Sequence, residues 1–465
     1  MFFQSIITPG LSLNTYILGS YKSKSCVVID PPRQITACVL AVQNAGLNIT
    51  HIIETHVHAD FISGAIELKH EMEEKPLICC SGMGGKEWNP SYADRIMKDG
   101  EIIRLESIRL QALHTPGHSP EHLSWVCYDE ARSRDIPCFA FTGDFLFVGG
   151  VGRPDLMGKE ASKRLVAQLY DSLFKKMNSF PDFMEIFPAH FNGSLCGSFY
   201  EGKNSSTLGF ERLCNPYLKA CNEQEWTRSL IHGFNEHPPH FHSIKKMNLA
   251  GPALLETLTT ISSEGGLDEM DLDELFIIDT RLPQKFADFH LKGSINIPMH
   301  DHFSQWCTWF IPENKDIGII TDDHSRDSQV VNQLRLVGFD EPILLIAFSA
   351  RLKSHLQGDC FKLLSPAQIV QDKMQMIDVR TLKEWDEGHV ANAQHIELNK
   401  IETATVQFSL NLPIVTICRS GVRASIATSI LKKIGFQNVT CLNGGMQSWS
   451  AAGLPIEKNN FLKNY

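Results

Sequence analysis

The second half of this chain repeats itself, and a repeat of domain size constrains the architecture before any single motif does. Phe276-Ile277-Ile278-Asp279-Thr280-Arg281 recurs as Gln375-Met376-Ile377-Asp378-Val379-Arg380, 99 residues on, and at that spacing Phe286 meets Trp385 and His290 meets His389. Later in each copy, Leu336-Val337-Gly338-Phe339 meets Lys433-Ile434-Gly435-Phe436 at a spacing of 97. Short apolar runs alternate with helical stretches, so each copy is expected to be one α/β unit of roughly 100 residues. The junction between them falls near Gly358.

A chain of 465 residues is too long for one core, and at roughly 100–200 residues per domain it should hold about three. Ahead of the repeat, apolar runs such as Cys26-Val27-Val28-Ile29, His51-Ile52-Ile53 and Phe139-Ala140-Phe141 alternate with helical stretches such as Lys163 to Met177, which reads as a further α/β domain. From His232 to Met247 the chain carries Pro238, Pro239 and four histidines, His232, His237, His240 and His242. With no apolar periodicity, this segment is expected to be a polar strip over the surface, its histidines too irregularly spaced for a metal site. The expected domains are therefore 1–248, 249–357 and 358–465.

Composition narrows the partners. A hydrophobic fraction of 43% and a charged fraction of 21% belong to ordinary globular material, and no stretch approaches the run of about 20 apolar residues that a membrane span needs. The opening Met1-Phe2-Phe3-Gln4-Ser5 has no basic region leading into an apolar core, so a cytoplasmic location is expected. Thirteen cysteines without a CxxC pair read as reduced thiols. The formal charge of −10 argues against nucleic acid or anionic lipid as the main partner.

The densest chemistry lies in Thr55-His56-Val57-His58-Ala59-Asp60-Phe61, directly after the apolar run His51-Ile52-Ile53. Two imidazoles two apart, with a carboxylate two further on, can point at one centre from a loop leaving a strand. Companions follow in order: Thr115-Pro116-Gly117-His118, Phe141-Thr142-Gly143-Asp144 and Phe187-Pro188-Ala189-His190. Four loops each end a short apolar segment and deliver a His or an Asp, the donor set of a metal centre. Unrelated polar loop residues, satisfied locally, are the weaker account of the same pattern.

Taken together, these motifs resemble the metallo-β-lactamase fold, a four-layer αββα sandwich with its metal between the sheet edges, over residues 1 to 230 or so. Within that superfamily, THVHADFISG, TPGHS, FTGD and the following Gly150-Val151-Gly152-Arg153-Pro154-Asp155 look like the persulfide dioxygenases. The resemblance implies one Fe(II) per chain, held by His56, His118 and Asp144, with His58, Asp60 and His190 orienting the ligands or bound water. Two histidines and one carboxylate leave a face of the octahedron open for O2 and a substrate sulfur. Position 61 departs from the superfamily pattern, where a histidine helps to hold a second metal; Phe61 cannot coordinate anything. That disfavours the alternative, a glyoxalase-II-like thiolester hydrolase, which needs two zinc-type ions to make and aim hydroxide. Arg153 offers a planar fork to a substrate carboxylate or to sulfite, or else closes an ion pair with Asp155. Cys196 has two readings as well, a sulfur-handling thiol near the metal or a small buried hydrophobe.

In the last copy the strand-like Ile414-Val415-Thr416-Ile417 runs into Cys418-Arg419-Ser420-Gly421-Val422-Arg423 and then a helical stretch. A cysteine at a strand end, before a tight loop and a helix start, sits in a nest of backbone N–H groups that is expected to lower its pKa and make it a nucleophile. Arg419 and Arg423 add positive potential for sulfite or thiosulfate, and two arginines within five residues argue against a core cysteine. This loop, with Ile377-Asp378-Val379-Arg380, Trp385, Gly388, His389 and the closing Asn443-Gly444-Gly445-Met446-Gln447-Ser448-Trp449, resembles a rhodanese domain, in which Cys418 would carry a sulfane sulfur as a persulfide. In the middle copy Cys418 falls on Thr321 and Arg423 on Arg326, within Thr321-Asp322-Asp323-His324-Ser325-Arg326-Asp327. A hydroxyl without a base is a poor sulfur acceptor and the added carboxylates repel anions, so this copy is expected to be non-catalytic. Neither Cys307 nor Cys360 has the loop context to substitute.

The fold class expected for the whole chain is multidomain α/β, an αββα sandwich followed by two rhodanese-like domains, and the order resembles the multidomain persulfide dioxygenase-sulfurtransferases. That resemblance implies oxidation of a small persulfide, of glutathione, coenzyme A or a similar thiol, with O2 to sulfite, then sulfur transfer through Cys418 to sulfite, giving thiosulfate. A symmetric homo-oligomer is expected on the same ground.

Overall fold

The computed structural model describes residues 1–191, 203–219, 222–231, 236–262, 274–313, 315–349, 357–369, 373–404, 408–409 and 412–458. The chain divides into two compact units, Met1–Leu258 with Asn332–Phe339, and Thr259–Val331 with Asp340–Tyr465. Among the described residues no helix is long and apolar enough to cross a membrane.

The first unit is built on two six-stranded sheets. One runs in chain order through Phe2–Thr8, Leu13–Ser20, Ser25–Ile29, Asn48–Ile53, Leu77–Ser81 and Arg95–Met97, antiparallel for its first two pairings and parallel thereafter. The other runs Ser206–Thr207, Glu185–Pro188, Phe139–Gly143, Leu123–Asp129, Ile108–His114 and Ile102–Leu105. Alternation along the strands sorts the side chains into three apolar layers. Tyr16, Leu18, Val27 and Ile29 of the first sheet meet Leu110, Trp125, Phe139 and Phe141 of the second. Their strand neighbours Ile17, Cys26 and Val28 face the other way, onto Cys38 and Val42 of the helix Thr36–Ala45 and Ala65 and Leu68 of Ala65–Glu71. On the far side of the second sheet, Val126, Ala140 and Ile186 pack against Val166 and Leu169 of the helix Lys159–Asp171. The order of layers is helix, sheet, sheet, helix, the sandwich expected from the motifs. Leu13–Ser20 is buried along its whole length because both its faces are covered.

The proposed surface strip is corrected in part. Of its residues His232 lies outside the described set, but Phe241–Ala250 is an α-helix whose Phe241, Ile244 and Asn248 are buried. Those positions follow a helical period; the polar Asn248 hides it from a hydropathy scan. Asn248 is there for its hydrogen bonds, donating to the carbonyls of His58 and Phe61 and accepting from Ser63 N. The helix reaches beyond residue 248, where the sequence suggests a boundary.

The second unit contains the strands of both copies of the repeat, as two five-stranded sheets of like topology. In the middle copy the order is Thr260–Ser262, Ile343–Ala347, Ile317–Thr321, Phe276–Asp279, Ile295–Asn296, and in the last copy it is Leu363–Leu364, Val439–Leu442, Ile414–Ile417, Gln375–Asp378, Gln394–His395. All the pairings are parallel. The 99-residue spacing is reproduced atom for atom at one point. Arg281 clamps Asp279 at 2.6 Å and donates to Phe289 O, and Arg380 clamps Asp378 at 2.6 Å and donates to Gly388 O. The His290 and His389 rings stack on Phe286 and Trp385 and bond their carbonyls. Gly358–Asp359, near the junction of the copies, pairs with His290–Leu291.

Candidate active sites

Every candidate metal ligand leaves the end of a strand. Thr55 to Asp60 follow Asn48–Ile53, His118 follows Ile108–His114, Asp144 follows Phe139–Gly143, and His190 follows Glu185–Pro188. The loops are drawn together closely enough to need a glycine: a Cβ on Gly152 would lie 1.7 Å from Asp144 O and 3.0 Å from His118 Cβ.

His56, His118 and Asp144 are all buried, and one ligand atom from each lies within 4.8 Å of the other two. Asp144 Oδ2 is 3.8 Å from His56 Nε2 and 3.7 Å from His118 Nε2. Among the described residues His56 Nε2 and Asp144 Oδ2 have no hydrogen-bond partner, and a buried polar atom left so carries a free-energy cost unless something else satisfies it. Their surroundings prepare both imidazoles to ligate. Thr55 Oγ1 donates to Asp30 Oδ2, so the 3.0 Å contact with His56 is a donation from Nδ1 to that oxygen, leaving the Nε2 lone pair free. His118 Nδ1 likewise donates to Arg153 O at 2.9 Å. Burial holds both rings below their usual pKa, with neighbouring histidines adding to it at His56, so they stand as neutral ligands. Burial would raise Asp144, but His190 and His118 outweigh it and keep the carboxyl well below its ordinary range. Two neutral imidazoles and a carboxylate, their donor atoms converging, fit a divalent metal.

The three supporting residues divide into two roles. His190 bridges carboxylates, its Nδ1 2.7 Å from Asp144 Oδ1 and its Nε2 3.0 Å from Asp60 Oδ2. Burial opposes its charge, but those two carboxylates hold it well above the usual pKa. His58 turns toward Asp30 instead, with Nε2 at 3.1 Å, and to Glu54 at 3.8 Å. Burial lowers its pKa and the two acids more than offset that, to about 9. The Phe61 ring packs on His58 with centroids 4.3 Å apart.

Three residues the motifs did not reveal complete the support. His122 Nε2 accepts from Asp144 N and its Nδ1 meets Thr115 Oγ1. Asp30 receives both Thr55 N and Thr55 Oγ1, and Glu121 receives Val57 N. The only sequence signal for His122 is its place four residues after His118; for Asp30 it is the end of the strand Ser25–Ile29. Arg153 is buried and its fork is closed on Asp155 at 2.7 and 2.8 Å. Cys196 lies outside the described residues.

Cys418 ends the strand Ile414–Ile417, and Gly421 N donates to its Sγ at 3.1 Å. The helix Gly445–Ala451 holds the loop from below, Met446 N donating to Cys418 O and Gln447 N to Arg419 O. Gly445 allows this approach: at φ +57 a Cβ would sit 2.2 Å from Cys418 O. The expected lowering of the thiol pKa is corrected. Burial raises it, and Arg423 with the N–H groups of Ala424, Ser420 and Gly421 only pulls part of the way back. Arg423 has its fork closed on Glu384, at 2.6 Å to each oxygen, while Arg419, the next residue after Cys418, is exposed. In the middle copy Thr321 is buried and donates to Asp327 Oδ1, while Asp323 caps Ser325 N. Cys307 is buried in the helix Phe303–Phe310 and Cys360 is exposed.

Residues 8–190 match the metallo-beta-lactamase superfamily, and 265–347 and 366–452 each match the rhodanese-like domain. The human "Persulfide dioxygenase ETHE1, mitochondrial" is 31% identical over 215 residues, which are 45% of this chain and 73% of that one. "Hydroxyacylglutathione hydrolase GloC" of Haemophilus influenzae is 26% identical over 212 residues, 42% of this chain and 89% of its own. A crystal structure of a metallo-beta-lactamase from Staphylococcus aureus superposes with a TM-score of 0.67 at 30% identity, covering 74% of this chain and 99% of that one. The chain belongs to the metallo-β-lactamase superfamily and is a fusion, its N-terminal domain homologous to persulfide dioxygenases and followed by two rhodanese-like domains.

Proposed function

We propose that this protein oxidises a low-molecular-weight persulfide with O2 at a single Fe(II) and passes sulfane sulfur through Cys418 to the sulfite formed. The first reaction balances as RSSH + O2 + H2O giving RSH, sulfite and two protons. In the second, the Cys418 thiolate takes the outer sulfur of a persulfide and releases RSH, then sulfite attacks that sulfur, giving thiosulfate and the thiolate again.

The observation that carries the reading is the converging set His56 Nε2, His118 Nε2 and Asp144 Oδ2. Iron bound there would supply an open coordination face on which O2 and a persulfide sulfur can meet. The chain's own residues hold that set ready. Thr55 and Arg153 O fix the tautomers, and His190 occupies Asp144 Oδ1 so that Oδ2 faces the histidines. Asp60 is engaged with His190 and position 61 is Phe, which weakens the rival two-metal hydrolase that the hydroxyacylglutathione hydrolase relatives bring to mind. For the second step, backbone N–H groups around Cys418 Sγ stabilise its anion, and Arg419, exposed and next in the chain, would offer charge to sulfite.

Elemental analysis of anaerobically purified protein, with oxygen uptake on adding glutathione persulfide or coenzyme A persulfide, tests this directly. About one iron per chain with uptake is expected. Two zinc ions per chain, thiolester turnover and no uptake would place the N-terminal domain with the hydrolases.

A further inference from the structure

Beside the ligand cluster lies a cavity of about 200 Å³ that reaches His118. Val57, Ala59 and Leu156 supply apolar lining, which suits an S–S group. Three basic side chains also line it, His237, His242 and Lys245, the last two from the helix Phe241–Ala250. The concentration of basic groups is notable in a chain of net charge −10.

Lys245 is the best placed of the three. Its Nζ lies 3.6 Å from the centroid of the Trp88 ring and 3.2 Å from Met157 Sδ, both cavity residues. Burial lowers its pKa, and Glu121 and Glu87 act in the opposite direction from a distance. Glu121 has its own bond from Val57 N, and burial raises it to about 7, so its charge is only partly available at neutral pH. A half-buried lysine held over an aromatic face can give an arriving anion a charge-assisted bond that is less screened than one at the open surface.

We propose that Lys245, flanked by His242 and His237, anchors the anionic tail of the thiol that carries the persulfide, with the sulfur end directed to His118. The substrate class is then a small thiol bearing a carboxylate or a phosphate. This rests on the persulfide reading above and names the part of the substrate that reading leaves open. Arg153, the other basic group of this domain considered for an anion, is committed to Asp155.

The test is calorimetric titration of the full-length, metal-free protein with glutathione, whose anions are carboxylates, and with coenzyme A, whose anions are phosphates. The neutral thiol 2-mercaptoethanol serves as control. Lys245→Met keeps the stem over Trp88 and removes the charge. It should weaken whichever anionic thiol binds by ~10-fold or more, leave the neutral thiol unchanged and reduce the salt dependence of binding, while Lys245→Arg restores affinity. In oxygen uptake the KM for the matching persulfide should rise by a similar factor. The two arms tell carboxylate from phosphate recognition. Equal affinity of wild type and Lys245→Met for both anionic thiols overturns the proposal, as does a loss that Lys245→Arg fails to restore. Lys245-dependent thiol binding without oxygen uptake on any persulfide would instead overturn the oxidation reading and leave the anchor standing.

Discussion

His190 Nδ1 donates to Oδ1 of Asp144 across 2.7 Å, and that bond decides which oxygen of the carboxylate is left for a metal. The other imidazole nitrogen lies against Asp60, so one positively charged ring spans two carboxylates that would otherwise repel each other. A His190→Ala variant leaves both acids uncompensated in a buried site. Metal affinity should fall ~10–100-fold, the usual loss when a ligand's orienting partner goes. Competition with a chelator of known affinity measures it; an unchanged value would mean that the bond from Asp144 N to His122 orients the ligand alone.

Gly152 allows a second, sharper test of the loop arrangement. Gly152→Ala drives a Cβ to within 1.7 Å of Asp144 O, a position that real atoms do not occupy, so the loop must move and carry Asp144 or His118 with it. Metal content should drop to background, whereas thiosulfate:cyanide sulfurtransfer should persist, because Cys418 belongs to the other compact unit. Loss of both activities would show that the two units do not fold independently.

These two variants show what the sequence could and could not convey. The candidate ligands were legible because each sits in a short motif at the end of an apolar run, and the repeat was legible because Asp279–Arg281 and Asp378–Arg380 stand at the same place in each copy. His122 and Asp30 were not, since their importance lies in what they face across the site and a lone His or Asp signals nothing of that. The helix Phe241–Ala250 was hidden by Asn248, a polar residue on a buried face. The direction of the Cys418 shift was misjudged because donors can be counted in a sequence, while depth of burial cannot. Arg423 meets Glu384 from 39 residues away, too far for local pattern to pair them.

Asn296 suggests what the middle copy contributes. Its Oδ1 accepts from Ser425 Oγ, its backbone N donates to Ser429 Oγ, and its amide nitrogen donates to the carbonyls of Asp279 and Arg281. Ser425 and Ser429 lie on the helix Val422–Lys433 that follows the Cys418 loop, and all three residues are buried. Asn296→Ala keeps the backbone bond to Ser429 but removes the acceptor of Ser425 Oγ and the amide donor to the Asp279 and Arg281 carbonyls, so stability of the second unit should fall by about 1–3 kcal/mol, read as a lower urea midpoint with unchanged m-value. Adding Ser425→Ala should cost less than it does alone, because the bond it would break is already gone.

The Glu384–Arg423 clamp makes a prediction about acid. Burial raises the Glu384 carboxyl, but the Arg423 guanidinium outweighs it and brings the pKa from its ordinary 4.5 to about 2. A carboxylate depressed in the folded state stabilises fully above its unfolded value and loses that contribution as pH falls through the folded one. The last copy should therefore lose stability between about pH 4.5 and pH 2, and Glu384→Gln should flatten the urea midpoint over that window. The same substitution releases Arg423, whose charge already lowers the Cys418 thiol against the pull of burial. With its carboxylate partner removed, that charge acts on the thiol undiluted, so iodoacetamide should alkylate Cys418 faster in Glu384→Gln at neutral pH, with the rate profile displaced to lower pH. A profile displaced upward would mean that Glu384 holds Arg423 in place beside the sulfur, and that its loss lets the arginine swing away.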